Sequence, residues 1–372
     1  MATEIFTFQG DGVRLLAWPP LTGLLDCRPT LMRFLVLGGT LFIGRAVTEA
    51  ALARGHTVTH FTRGRTNTEL FAECEQLRGD RDGNLEALRG RDWDACVDTS
   101  GYVPRVVGAT ADLLADHVGH YIFVSSLAAY RDLSGYVDEE SPKAQLAEPS
   151  EDVGRYYGPL KAACENVLDE AFGERVAHVH PYLVVGPYDA TGRFSYWLTR
   201  IAAGGRVLAP AIQQQQCKFI DVRDLGAFIV TLAERAAGGA YCVAGPREPV
   251  TFGDVIDTVS RMSGSKAEIV WAPEEFLHEY GVIPWTEMPL WPGDERAHLY
   301  VNNTKALGTG LELRILEETI VDTLAWALAD PQSTYQPDPG RKRARPGLLP
   351  ERERELISLL GQKQPKTTKT RK

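Results

Sequence analysis

One stretch constrains the fold of this chain more than any other. The apolar run Phe34-Leu35-Val36-Leu37 leads into Gly38-Gly39-Thr40-Leu41-Phe42-Ile43-Gly44, followed by Arg45-Ala46-Val47. An apolar run that stops at paired glycines and gives way to a helix-like segment reads as strand, tight turn and helix N-terminus. Such a turn presents bare backbone N–H groups beside the positive end of the helix dipole, which suits a phosphate. In parallel α/β sheets this is where the pyrophosphate of a dinucleotide docks. Gly38 suits the tight turn and Gly44 the close approach of helix to strand. The middle glycine of the usual pattern, which lets backbone meet the pyrophosphate, is here Leu41.

Strand-like and helix-like segments alternate after that turn, the pattern of a parallel sheet with crossover helices. Strands are expected at 34–37, 57–62, 74–78, 95–98, 121–125 and 176–179, and helices at 44–54, 103–115 and 151–172. After Gly186 the regularity weakens. Helices are expected at 194–203, 224–234, 252–263 and 315–329, with short strands at 241–243 and 268–271, in a half rich in Trp and Pro. The expected division is a disordered extension (1–31), a dinucleotide-binding domain (32–186), mainly a substrate lobe (187–330, some segments returning to the sheet) and a basic, largely disordered tail (331–372) with one short helix at 351–360.

Composition removes several classes. With 372 residues, 44% of them hydrophobic and 24% charged, the chain can bury one large α/β domain and a smaller lobe. No apolar run is long enough for a membrane helix, and residues 1–31 lack the pattern of a secretory signal. Six scattered cysteines without a C-x-x-C pair argue for reduced thiols and a cytoplasmic setting. The histidines lack ligand spacing, so no metal site is expected. The net charge is −9, and residues 331–372 carry 11 Lys/Arg against 4 Asp/Glu, which leaves an acidic body ill-suited to nucleic acid.

Chemistry is concentrated in two places. Tyr157 and Lys161 are four apart on an expected helix and share a face, with Pro159 tolerable only in a first turn. An ammonium beside a phenol favours the phenolate, which suits proton exchange with a substrate hydroxyl. The run Tyr121-Ile122-Phe123-Val124 ends in Ser125-Ser126, placing hydroxyls at the carboxyl edge of the sheet, where open α/β sheets bind ligands. Beyond the second strand stand Arg63 and Arg65 and no acidic residue to receive a ribose 2′-hydroxyl, so NADP(H) is favoured over NAD(H).

With these residues in this order, the chain resembles the NAD-dependent epimerase/dehydratase family, the extended or atypical short-chain dehydrogenase/reductases. The resemblance runs from about 32 to 331, through GGTLFIG (38–44), GD (79–80), DTSGY (98–102), SSLAAY (125–130), YGPLK (157–161), VVGP (184–187) and FIDVRDL (219–225). It implies a Rossmann-like, doubly wound parallel sheet with a smaller C-terminal α+β substrate lobe. It also implies roles: Tyr157 as acid/base, Lys161 on the nicotinamide ribose, and Ser126 on the reacting oxygen. Gly38, Gly39, Thr40, Leu41, Phe42, Ile43 and Gly44 form the pyrophosphate loop. Asp80 lies near adenine, and Pro181 sits where the chain passes the nicotinamide. His180 stands in place of the family's arginine and is taken as a structural substitution. Asp221 and Arg223 lie in a motif at the boundary of the substrate lobe, where the expectation is a structural ion pair or a contact to substrate.

The function so implied is an NAD(P)-dependent oxidoreductase or epimerase acting on a small hydroxy/keto or sugar-nucleotide-like compound. Dehydration is disfavoured because Leu127-Ala128, not an acidic pair, follows Ser126. A homodimer formed through the helix bearing Tyr157 is a further expectation. The alternative is a non-catalytic nucleotide-sensing or RNA-binding scaffold, which Leu41 and the basic tail favour and the intact Ser126/Tyr157/Lys161 set opposes.

Overall fold

The computed structural model describes residues 30–293, 299–332, 334 and 346–363. Of the extension expected at 1–31, residues 1–29 lie outside these residues, as do the basic stretches 341–345 and 364–372 of the tail. In chain order the elements are β1 (Arg33–Leu37), α1 (Phe42–Ala53), β2 (Thr57–Thr62), β3 (Glu75–Arg78), β4 (Trp93–Asp98), α2 (Pro104–Leu114), β5 (Val118–Val124), β6 (Tyr136–Val137), α3 (Val153–Phe172), β7 (Val176–Pro181) and β8 (Val184–Val185). There follow α4 (Ser195–Ala202), β9 (Arg206–Pro210), β10 (Gln216–Asp221), α5 (Val222–Glu234), β11 (Gly239–Val243), β12 (Gly245–Thr251), α6 (Phe252–Ser263), β13 (Glu268–Ala272), α7 (Glu274–Glu279), β14 (Tyr300–Val301), α8 (Thr304–Gly308), α9 (Leu316–Ala329) and α10 (Pro350–Lys363).

Seven strands form one sheet in the order β11-β7-β5-β4-β1-β2-β3. Every pairing within it is parallel. Side chains alternate across a strand, and β1 shows the consequence. Phe34 and Val36 join the core under α1 and α5, whereas Leu35 and Leu37 join the core under α2 and α3. Both faces are therefore covered, which is why these strands appear in the sequence as unbroken apolar runs. This is the Rossmann-like, doubly wound sheet that the resemblance implied. Its two outer strands are the short, charged β3 and the late-arriving β11.

The second core belongs to the C-terminal half. Trp197, Phe194, Phe219, Phe252 and Trp291 are fully buried in it with aliphatic residues of α4, α6, α9 and α10. The three-stranded sheet β12-β10-β8 and the pair β13-β9 frame it. Four of these strands, β8, β9, β10 and β12, were not expected from the sequence. β12 contains Pro246 and Pro249, poor strand formers, and it pairs only at its two ends with β10, across an irregular register.

The tail corrects an expectation in its described part. Residues 350–363 form a helix longer than the expected 351–360, and the helix is no loose end. Leu356, Ile357 and Leu360 are buried in the lobe's core. Glu353, also buried, accepts from Arg200 Nε at 2.8 Å and from the backbone N–H of Leu208 at 3.0 Å. An amphipathic stripe every three to four residues docks this helix. No helix among the described residues is long and apolar enough to cross a membrane.

Candidate active site

The glycine turn has the geometry its sequence demands. Gly38 and Gly39 both have positive φ, +114° and +23°. A Cβ on Gly39 would lie 2.2 Å from Cδ2 of the buried His60, and one on Gly44 would lie 2.9 Å from Gly39 Cα. His60 cannot easily give way, because it is held by Thr48 Oγ1 at 2.9 Å and Gln76 Nε2 at 3.0 Å. Its burial pushes the imidazole down to about 4. Leu41 has extended backbone, so the glycine missing there costs no strain, and its side chain does not cap α1. The first turn of α1 thus keeps N–H groups without intrahelical partners at the carboxyl edge of the sheet. Phe42, at the start of that helix, takes a positive φ of +30°, a strained value for a non-glycine residue.

The loop after β2 is stitched to this turn. Thr40 Oγ1 donates to Thr66 O at 3.1 Å, and Asn67 Nδ2 donates to Thr40 O at 2.9 Å. Arg63 and Arg65 stand exposed on that loop. Asp80, half-buried beyond β3, accepts from the Asp82 N–H at 3.2 Å within a short turn. Pro181 is the buried last residue of β7.

Two strands further along the same edge lies the Tyr157 region. Lys161 is almost wholly buried, and its Nζ donates to Gly101 O at 2.7 Å and Val124 O at 2.8 Å. The ammonium also lies 4.7 Å from the centre of the Tyr102 ring and 4.5 Å from that of Phe123. Two carbonyls and two ring faces stabilise a charge withdrawn from water. Gly101 is placed for this by Asp98, which accepts from Arg81 at 2.7 Å, Tyr121 OH at 2.9 Å and the Ser100 N–H at 2.9 Å.

Tyr157 is half-buried, and its ring centre is 6.3 Å from that of Tyr102. The residue before it, Tyr156, breaks α3 with non-helical angles. Pro159 therefore falls in the first turn of the regular segment, where its missing N–H costs nothing. Gly158 brings that segment against the serine strand-end: a Cβ there would lie 2.0 Å from Ala128 O. Ser126 begins the short turn 127–129, and its Oγ accepts from the Ala128 N–H at 3.2 Å. The capping role open to Ser126 is thus realised, and its O–H remains a donor.

Ser125 points elsewhere. It is buried and donates to Glu165 Oε1. His180 Nε2 lies 2.8 Å from the same oxygen, and Lys143 Nζ lies 2.9 Å from Glu165 Oε2. Burial alone would raise the Glu165 carboxyl, but His180 and Lys143 outweigh it and hold the group well below the usual carboxylate range. Burial keeps His180 below its ordinary value, so the compensating charge at neutral pH is that of Lys143. The geometry of His180 is structural, as its sequence position suggested. So is that of Asp221, which caps α5 and binds Arg223 at 2.8 Å, with Thr319 donating to it at 2.9 Å.

Sequence reasoning missed three residues here. Tyr102 lies inside the quoted DTSGY motif but was given no role. Glu165 lies one helical turn beyond Lys161, on the spacing already in use. Arg78 was passed over because its relation to Thr62 is a cross-strand register, Thr62 opposite Arg78. Arg78 Nη1 donates to Thr62 Oγ1 at 2.6 Å, beside the loop that carries Arg63 and Arg65.

A seven-stranded parallel sheet with an uncapped glycine turn, a buried lysine and a nearby phenol at one edge is the architecture of the extended short-chain dehydrogenase/reductases. Residues 34–244 match the NAD dependent epimerase/dehydratase family, more than half of the chain, and the protein belongs to that family. A curated relative, the chloroplast stem-loop binding protein of 41 kDa b of Arabidopsis thaliana, is 26% identical over 268 residues, 66% of this chain and 67% of that one. UDP-glucuronic acid 4-epimerase from Bacillus cereus, solved with NAD, superposes with a TM-score of 0.60 at 15% identity, covering 79% of this chain and 96% of the other. The dTDP-glucose 4,6-dehydratase of Bacillus anthracis, also solved with NAD, gives a TM-score of 0.60 at 17% identity, covering 82% and 99%. These two likenesses establish the fold.

Proposed function

We propose that this chain is an NAD(P)-dependent oxidoreductase or epimerase acting on a small hydroxy/keto or sugar-nucleotide-like compound. The observation that carries this reading is the buried Lys161 ammonium on the same helical face as the half-buried Tyr157, at the sheet edge that also bears the glycine turn. The residues fit a nicotinamide dinucleotide: Gly39 and Gly44 let the turn and the start of α1 close to a spacing that any Cβ would prevent, and the first turn of that helix offers N–H groups without intrahelical partners. Gly38 through Gly44 would hold the pyrophosphate, Asp80 would approach the adenine, and Pro181 would flank the nicotinamide. When bound, the dinucleotide supplies a hydride acceptor or donor.

The protein's own part is proton handling. Tyr157 takes the proton of the substrate hydroxyl, or returns it to the carbonyl oxygen. Lys161 favours the phenolate by its charge. The Ser126 hydroxyl donates to the reacting oxygen and fixes its direction. The arginines beyond β2 favour the 2′-phosphorylated dinucleotide. NADPH consumption against a panel of carbonyl compounds tests the reading. Tyr157→Phe is expected to keep dinucleotide affinity and to lose about 10²–10⁴ in turnover, the range of general acid–base catalysis. Full turnover in that variant would remove the acid/base role.

The name of the Arabidopsis relative motivates one competing reading, an RNA-binding scaffold. A gel-shift assay with an RNA stem-loop separates the two: retention of RNA with no dinucleotide binding would favour the scaffold.

A further inference from the structure

Behind the strand-end serines the chain buries a carboxylate for which the mechanism has no use. Glu165, on α3 one turn beyond Lys161, is buried, and the cation in contact with it comes from a distant loop. Lys143 Nζ lies 2.9 Å from Glu165 Oε2, 2.7 Å from His180 Nε2 and 3.9 Å from the centre of the Tyr130 ring.

The loop around Lys143 lies along the turn that Ser126 begins. The Ala144 N–H donates to Ala129 O at 2.7 Å and the Arg131 N–H to Pro142 O at 2.8 Å, with Lys143 bridged to Tyr130 between them. From there the Lys143 ammonium reaches over the Tyr130 ring to α3. The same helix touches this turn a second time, where Gly158 leaves no room for a Cβ against Ala128 O. The turn is therefore gripped by α3 at two points about two helical turns apart, by packing at Gly158 and by charge at Glu165. Ser126 opens the turn, and Tyr157 precedes Gly158 on the helix. The grip sets how these two approach each other.

We propose that Lys143 is a positioning residue: its ion pair with Glu165 holds the Ser126 turn on α3, so that the Ser126 hydroxyl and the Tyr157 phenol meet at one reacting oxygen. The roles of Ser126 and Tyr157 rest on the reading above, whereas the grip does not. The groups facing Glu165 show why the charge of Lys143 matters. From β7 come His180, which burial holds down to about 4 and so keeps neutral at pH 7, and His178, engaged with Asp169 at 2.7 Å. Ser125 donates from β5. Burial raises both the Tyr130 phenol and the neighbouring Cys164 thiol, so neither is charged. Lys161, one turn back, is engaged by Gly101 O and Val124 O. Without the Lys143 ammonium, Glu165 either takes a proton or moves towards water.

Lys143→Met, Lys143→Arg and the double variant Lys143→Met/Glu165→Gln test this in the full chain. Rates are read against pH with NADPH and a carbonyl compound that the wild type reduces, and crystal structures are compared at pH 8. Lys143→Met is expected to lose about ten- to a hundred-fold in kcat with KM for NADPH unchanged. The loss should be larger at pH 8 than at pH 6, where the unpaired carboxyl is more readily protonated. Lys143→Arg should restore the rate. The double variant, which buries no unpaired charge, should regain part of it and lose the added pH dependence. In the crystals, the turn 127–129 should draw away from Gly158 in Lys143→Met and return in the double variant. Should Lys143→Met fail to fold, Lys143→Gln carries the same expectations with a smaller loss. Lowered stability with unchanged kcat overturns the proposal. So does a loss equal at every pH, a loss that Glu165→Gln does not relieve, or a turn that stays in place. If the wild type reduces no compound of the panel, the broader reading falls, and the crystal structures still decide whether Lys143 holds the turn.

Discussion

In β1 of the seven-stranded sheet, Phe34, Leu35, Val36 and Leu37 are all without exposed surface, and each finds its partners in a helix that follows within the same βαβ pattern. In the C-terminal lobe, Trp197 on α4 packs against Phe252 on α6 and donates to Pro289 O, and the core closes only when α10 brings Leu356, Ile357 and Leu360. The sheet is built from sequential neighbours and carries the candidate chemistry on one edge. The lobe is built from distant segments. The difference teaches that damage to the lobe should unfold or loosen it while sparing the chemistry's first requirement, dinucleotide binding, and that damage at the sheet edge should do the reverse.

The largest effect should come from removing α10. Burial of three such aliphatic side chains is worth about 5–9 kcal/mol, comparable to the whole stability of a typical domain. A chain ending at residue 345 is expected to lose cooperative unfolding of the lobe, followed by tryptophan fluorescence at Trp197 and Trp291. An unaltered melting curve would break the comparison.

Gly158→Ala addresses the sheet edge. Its Cβ meets a backbone carbonyl, so the helix carrying Tyr157 must move away from the turn at Ser126. Displacements of this kind cost about a hundred-fold in rate, and kcat is expected to fall by that order with dinucleotide affinity kept. Loss of affinity instead of rate would mean that the contact serves binding.

A smaller and graded effect follows from His60 under the glycine turn. Its folded value of about 4 lies below the ordinary 6.5 of the unfolded chain. Below pH 6.5 the unfolded state therefore binds more protons, and stability falls as the pH drops towards 4, by about 1.4 kcal/mol per unit of depression. His180 and Glu165 add to the same acid sensitivity, Glu165 only below the ordinary carboxylate range. Denaturant melts of His60→Gln between pH 7 and 5 should show a flatter decline than the wild type. A parallel decline would assign the acid sensitivity to other groups.

How much of this could be seen in the chain of letters follows from the same contrast. Parallel strands buried on both faces are apolar runs, so β1, β2, β4, β5 and β7 were visible, and β2 with its full bounds. The helices at 252–263 and 315–329 showed their amphipathic spacing. Apart from β13, the lobe's strands were hidden because they are short or carry Pro, Gln and Lys, and their stability comes from tertiary pairing rather than local pattern. Of the candidate site residues, Tyr157 and Lys161 were singled out by their spacing and Ser126 by its place at a strand end. Arg78 and Lys143 were not, because each meets its partners across the fold. Neither Thr62 opposite Arg78 nor Glu165 opposite Lys143 has a local signature.

The docking of α10 has a consequence for how the protein is made. Residues up to 243 complete every strand of the main sheet, so that half can consolidate while translation continues. The Trp-lined half has no such head start. Its core stays open to water until Leu356 and its neighbours have left the ribosome, which makes this interval the chain's period of greatest exposure to aggregation and proteolysis.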